Sequence, residues 1–223
     1  MKIDVTVALS VYNSEKYIYA CIKSLLAQTV RNFEILIVED PPFDKTKSIV
    51  KAFKDRRIRY LRNQRRLRLP ESRNRCVELA RGKYIFFTDD DCVVSENWIE
   101  QGLKSFLELD CIAVEGRTYY VSEGYKPTYS EARARIENKE GGKFMTCNIA
   151  YKKSIIECIG GFDNRYTYNS DRDLALRAMK LGRIHFNPKM IVYHQKAALK
   201  PMLYVRTSAV SYTHLRAHET VLD

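Results

Sequence analysis

Apolar and polar positions alternate in blocks along this chain, and the blocks change period from strand-like to helical and back. Ile3 to Val11 is a short apolar run that ends at Tyr12-Asn13-Ser14, which predicts a strand. Apolar residues then recur at Ile18, Cys21, Ile22 and Leu25, the spacing of one helix face, with Asn13 or Ser14 placed to cap it. Phe33 to Val38 predicts a second strand, closed by Glu39-Asp40-Pro41-Pro42. A helix from about Asp44 to Lys54 and a short strand at Ile58 to Leu61 follow. Pro70 suits the first turn of a helix that runs to Arg81 and stops at Gly82. The apolar run Lys83 to Thr88 predicts the next strand, and a helix from about Glu96 to Leu109 comes after it.

The second half is less regular. Ile112 to Val121 reads as one or two strands, 124–139 as a polar connection, and Phe144 to Tyr151 as a further strand. Gly160-Gly161-Phe162-Asp163 forms a turn, and Ser170-Asp171-Arg172-Asp173 opens a helix in the manner of a capping box. Its apolar residues fall at Leu174, Ala178 and Leu181, and strand-like segments bring in His185 and His194. Strand and helix alternate, so the expected fold class is α/β, with a mostly parallel sheet and helices on both faces. No internal repeat or low-complexity linker divides the chain. Residues 1–206 are therefore expected to form one mixed domain, with halves at about 1–110 and 111–206.

In such sheets ligands bind at the carboxyl ends of the strands, where Asn13, Asp40 and the triplet Asp89, Asp90 and Asp91 fall. Three adjacent carboxylates repel one another unless a cation or basic group compensates them. Clustered carboxylates at the end of so apolar a strand therefore point to a hard divalent cation that grips phosphate. The competing reading is a solvated acidic turn before the helix near Ser95.

Composition narrows the partners. The 223 residues carry a formal charge of +11, which points to an anionic partner. Cys21, Cys76, Cys92, Cys111, Cys147 and Cys158 are scattered without a CxxC pair, which favours reduced thiols over a disulfide framework or a zinc site. Met1-Lys2-Ile3-Asp4 runs straight into a strand pattern rather than a signal peptide, and no apolar stretch is long enough to cross a membrane. These features predict a cytoplasmic protein.

The ordered set of motifs resembles a family 2 glycosyltransferase of the inverting GT-A type. The pieces are Ser10-Val11-Tyr12-Asn13-Ser14-Glu15, Val38-Glu39-Asp40 with Asp44 and Thr46, and Arg73-Asn74 before Ala80-Arg81-Gly82. They continue with the Asp triplet and Asn97-Trp98, Asn148, Gly160-Gly161-Phe162-Asp163, and Asp171-Arg172-Asp173-Leu174. The resemblance covers roughly residues 3 to 195. It implies a GT-A fold with a small acceptor-side β element, a nucleotide diphosphate sugar as donor, and a sugar or lipid-linked acceptor in cell-surface polysaccharide or glycoconjugate synthesis.

The resemblance also implies the site. Asp89 and Asp91 are its DxD pair, with Asp91 and Asp89 joined by His194 at the metal, Mn²⁺ or Mg²⁺. Val11, Tyr12, Asn13, Glu15, Asp40, Arg73, Asp89, Asp90 and Asn148 fall on the nucleotide-sugar side. Asp171 is the catalytic base that takes the acceptor proton, and Asp173 stands on the acceptor side, supporting the site or its helix. The bland alternatives are core packing for Tyr12, a solvated helix face for Arg73, a structural role for His194, and simple helix-dipole acids for Asp171 and Asp173.

Two departures from the family pattern stand out. Glu39-Asp40-Pro41-Pro42 replaces the usual Asp-Asp-Gly-Ser, so the loop near the base is stiffer. Tyr168-Asn169-Ser170 precedes Asp171 where many relatives carry Glu next to the base. The basic stretch of Lys54, Arg56, Arg57, Arg59, Arg62, Arg65, Arg66 and Arg68 is expected to rest on anionic lipid at the inner membrane face, the alternative being a solvated loop. Residues 207–223 have no link to the preceding pattern and read as a non-native tail. Two other functions compete. One is a non-catalytic binder of nucleotide sugars with the same fold. The other is a nucleic-acid-binding protein, which lacks any supporting motif, so nucleic acid is not expected as a partner.

Overall fold

The computed structural model describes residues 3–120 and 137–195. Most of the expected polar connection and all of the expected tail therefore lie outside the described residues. The elements are β1 (Val5–Val11), α1 (Ile18–Leu26), β2 (Phe33–Glu39), α2 (Thr46–Ala52), β3 (Ile58–Arg62) and α3 (Leu69–Leu79). They continue with β4 (Tyr84–Phe87), β5 (Cys92–Val94), α4 (Trp98–Glu108), β6 (Ala113–Tyr120) and β7 (Ile149–Lys152). The last three are α5 (Lys153–Cys158), α6 (Ser170–Met179) and β8 (Ile184–His194).

Eight strands form one sheet in the order β3-β2-β1-β4-β7-β6-β8-β5. β3, β2, β1 and β4 run parallel, as do β6 and β8, while β7 is antiparallel to both β4 and β6. β1, β2 and β4 are buried almost throughout, as their continuous apolar runs require of strands covered on both faces. One core layer joins α1 and α4 to the sheet through Ile18, Ile22, Leu25, Phe86 and Trp98. The other joins α3 and α6 through Cys76, Val77, Ile85, Tyr151, Phe162 and Leu174. β6 and β8 shift register at Gly116/Arg117, and Pro188 sits in the extra stretch of β8, where its missing N–H costs no ladder bond.

Three local expectations are corrected. Neither Asn13 nor Ser14 caps α1 with its side chain; the helix starts after Tyr17, and the Ser14 carbonyl accepts from the N–H groups of Tyr17 and Ile18. The capping box at Ser170 does not form. Ser170 is already helical, and Asn169 precedes it in the left-handed region at φ 59° with no side-chain cap bond. Asp171 and Asp173 nevertheless occupy the first turn of α6, where the helix dipole favours them. Finally, the run 144–151 is strand only from Ile149, β7 ending at Lys152, and Phe144 adopts φ 56°, outside extended geometry.

Glu34 anchors the amino end of the sheet. Its buried carboxylate accepts from Thr6 Oγ1 at 2.7 Å, Arg59 Nη1 at 2.8 Å and the Arg81 N–H at 2.8 Å. Burial works to raise its pKa, but these hydrogen bonds outweigh it and hold the carboxyl below its ordinary value of 4.5. The stability it contributes is therefore full above the unfolded carboxylate range and lost as pH falls through the lower folded value. Glu34→Ala is expected to cost about 3 kcal/mol at neutral pH, since it strands a partly buried arginine. Urea unfolding should show that deficit, and the gap from wild type should narrow in acid.

Candidate functional site

Parallel pairing sets the carboxyl ends of β1, β2 and β4 side by side. Val11 pairs with Glu39 and Ala8 with Phe87, so the loops at 12–17, 40–45 and 88–91 leave the same edge. Hydrogen bonds tie the first two of these loops together: the Asp40 N–H donates to the Val11 carbonyl at 2.9 Å, and the Glu15 N–H donates to Asp44 Oδ2 at 3.0 Å. The Glu15 carboxylate in turn accepts from the Lys45 N–H at 3.3 Å. Tyr12, Asn13, Glu15, Lys16 and Tyr17 line a cleft of about 290 Å³. Tyr12 is 40% exposed with the Arg66 guanidinium 4.1 Å above its ring, so core packing does not explain it.

Asp40 is buried, and that burial raises its carboxyl above the ordinary value although Asn63 Nδ2 donates to it at 2.7 Å. Asn63 was not foreseen, yet its position one residue past β3 puts it on this same edge.

At the end of β4 the three aspartates differ. Asp89 and Asp90 are half-buried, and Asp91 is 4% exposed. Burial pushes the nearby Cys21 thiol up, and the charges of Asp90, Asp91 and Asp89 push it further. Arg73 is buried rather than solvated; its Nη2 lies 3.8 Å from Asp89 Oδ1, and its guanidinium lies 5.7 Å from the centre of the Phe162 ring. Phe162 is itself held to α3 by paired 2.7 Å bonds between its backbone and the Asn74 side-chain amide.

His194, more than one hundred residues from the triplet, arrives through the β5–β8 pairing of Cys92 with His194. Its Nε2 lies 3.4 Å from Asp91 Oδ1. Adjacent ligands of an octahedral ion with bonds of about 2.1 Å lie roughly 3 Å apart, so this pair fits a shared divalent cation. Donor atoms of Asp91, Cys92 and His194 all lie within 4.8 Å of one another. Cys92 was not anticipated as a neighbour of Asp91 and His194. All six cysteines are free thiols, five of them buried.

α6 carries Asp171 and Asp173 in its first turn. Its end leads to Arg183, whose carbonyl accepts from the Ile112 N–H beside Ala113, and Ala113 pairs with Tyr151 and Tyr151 with Ile85 near the start of β4. Ten residues of helix span about 15 Å, and Leu174 of α6 packs in the same core layer as Phe87 and Phe162. Asp171 accepts only a local bond from the Arg172 N–H at 2.9 Å among the described hydrogen bonds. Asp173 differs: Arg177 donates to it at 2.7 Å while reaching the carbonyls of Ile159 and Gly161, so Asp173 clamps α6 to the glycine turn.

Asn148 is fully committed inside the fold. Its Oδ1 accepts from Trp98 Nε1 at 2.8 Å, and its Nδ2 donates to the carbonyls of Arg117 and Met190.

The basic stretch spans both ends of β3. Arg57 lies at the amino end of β3, paired with Asp55, and Arg62 lies at the carboxyl end, paired with Glu39. Arg65, Arg66 and Arg68 follow on the site's edge. The arginines of the stretch expected to rest on lipid are thus spread along an edge strand about 16 Å long. Among the described residues no helix is long and apolar enough to cross a membrane.

Fold and edge together define an α/β protein of the GT-A glycosyltransferase type. The chain belongs to glycosyl transferase family 2, whose pattern matches residues 6–162. It is 29% identical over 175 residues to the Escherichia coli UDP-Glc:alpha-D-GlcNAc-diphosphoundecaprenol beta-1,3-glucosyltransferase WfaP, covering 77% of this chain and 68% of that protein. It is 30% identical over 209 residues to the Bacillus subtilis minor teichoic acid biosynthesis protein GgaB, covering 86% of this chain and 23% of the relative. The fold matches that of S. aureus TarS in complex with UDP-GlcNAc with a TM-score of 0.73 at 19% identity, over 90% of this chain and 60% of that one.

Proposed function

We propose that this protein transfers a glycosyl group from a nucleoside diphosphate sugar to an acceptor hydroxyl, with inversion, during cell-surface polysaccharide synthesis. The observation that carries the reading is the shared edge itself. Asp91 and His194 stand 3.4 Å apart there, and Asp171, in the first turn of α6, is the candidate base. The names of the E. coli and B. subtilis relatives support a polysaccharide pathway, and the former supports a lipid-linked acceptor.

In this reading Tyr12, Asn13, Glu15 and Asp40 flank the nucleotide, and Asp89 with Arg73 borders its ribose and phosphates. Asp91 and His194, with Asp89 near, would hold Mn²⁺ or Mg²⁺, which when bound supplies Lewis-acid neutralisation of the diphosphate leaving group. Asp171 accepts the acceptor hydroxyl's proton as its oxygen bonds to the anomeric carbon. The bond from that carbon to the diphosphate breaks on the opposite face, and the nucleoside diphosphate departs.

A thermal-shift panel of nucleoside diphosphates and their sugars, with and without Mn²⁺, tests the reading. One nucleotide at about a hundred times its Kd should add roughly 2.7 kcal/mol, or about 5–10 °C in Tm for a protein of this size. No shift with any nucleotide in a folded sample defeats it. A shift without turnover on any acceptor favours the non-catalytic binder instead.

A further inference from the structure

We infer that the loop between β3 and α3 forms a second anion pocket, one that takes a phosphate or diphosphate group on the acceptor. The inference rests on the transferase reading and names the chemistry of its second substrate. Arg65, Arg66 and Arg68, with Glu71, Thr167 and Tyr168, line a cleft of about 600 Å³. Three arginines and one glutamate line it, and the glutamate is paired with Arg65 at 2.6 Å. The cleft also opens on the first turn of α3, an eleven-residue helix whose positive end adds to the field of the arginines. Forked guanidiniums match phosphate oxygens in geometry as well as charge.

Its position assigns the ligand to the acceptor. On one side Arg66 stacks on Tyr12, so the pocket borders the proposed nucleotide cleft without being part of it. On the other side stands Tyr168, three residues before Asp171, which limits their separation to about 11 Å. A hydroxyl presented to Asp171 can therefore belong to a sugar whose phosphate lies among these arginines. The donor's own diphosphate is accounted for at the Asp89 to Asp91 edge. Tyr168, Asn169 and Ser170, just ahead of Asp171, add no carboxylate that would repel such an acceptor.

The test is calorimetric titration of inorganic pyrophosphate, without divalent cation, into wild type, Arg65→Ala/Arg68→Ala and Asp91→Ala. Wild type and Asp91→Ala should bind alike, and the double variant about tenfold more weakly. Both replaced side chains are exposed, so its melting curve should match wild type. Binding should persist with a saturating nucleoside diphosphate and Mn²⁺ present. No binding, equal binding by the double variant, or competition with the nucleotide would each overturn the pocket.

Sedimentation with phosphatidylglycerol and phosphatidylcholine vesicles separates a lipid surface from a bound phosphate. If the double variant lost phosphatidylglycerol binding and kept pyrophosphate binding, the arginines would serve a membrane and the inference would fall. The nucleotide panel, run on the double variant, should show an undiminished shift. A pyrophosphate result as expected with no nucleotide shift in wild type would end the acceptor assignment together with the transferase reading, whereas the converse removes the pocket alone.

Discussion

Asp171→Asn is expected to lower kcat by about 10²–10⁴, with the Kd of the nucleotide donor unchanged within about twofold. Asparagine keeps the shape and the helix-terminal position but cannot accept a proton at neutral pH. Asp171 makes only the local bond with the Arg172 N–H among the described hydrogen bonds, so the substitution leaves the α6 clamp intact. That clamp belongs to Asp173 and Arg177. The two neighbouring acids thus separate cleanly: Asp173→Asn should lower Tm, and Asp171→Asn should not. Steady-state kinetics beside a donor titration checks the prediction. A kcat within a few fold of wild type would remove Asp171 from the chemistry.

Asp91→Ala is expected to abolish the Mn²⁺-dependent part of the nucleotide shift, a loss of most of the roughly 2.7 kcal/mol. Asp91 is buried against His194, and its backbone carbonyl accepts from the Gln195 N–H at 2.9 Å. That backbone bond survives the substitution, so the β5–β8 pairing should hold and the melt without ligand should stay cooperative. Asp89→Ala should act differently. It removes the partner of buried Arg73 and weakens nucleotide binding even without metal. Equal shifts in Asp91→Ala and wild type, with and without Mn²⁺, would place the metal elsewhere or nowhere.

The chain's own pattern determined a good deal. Buried parallel strands need unbroken apolar runs, and Ile35 to Val38 and Tyr84 to Phe87 have them, so the strands were legible without any tertiary knowledge. Parallel order then sent Tyr12, Asp40 and Asp89 to one edge, because every such strand ends on the same side. Asp171 was legible as a first-turn acid for the same local reason.

Tertiary structure alone decided the rest, since it depends on pairings between distant segments. Register between β5 and β8 brought His194 to Asp91. Packing of α3 turned Arg73 from a surface side chain into the partner of Asp89. The direction of β3 split a basic run that is continuous in sequence, leaving Arg57 at one end of the sheet and Arg65, Arg66 and Arg68 at the other. Asn148 shows the limit most clearly: a motif position names a residue, but only the surrounding backbone decides whether its amide faces a ligand or, as here, the carbonyls of Arg117 and Met190. Local periodicity encodes which face is buried, whereas charge partners are set by contacts that no short window contains.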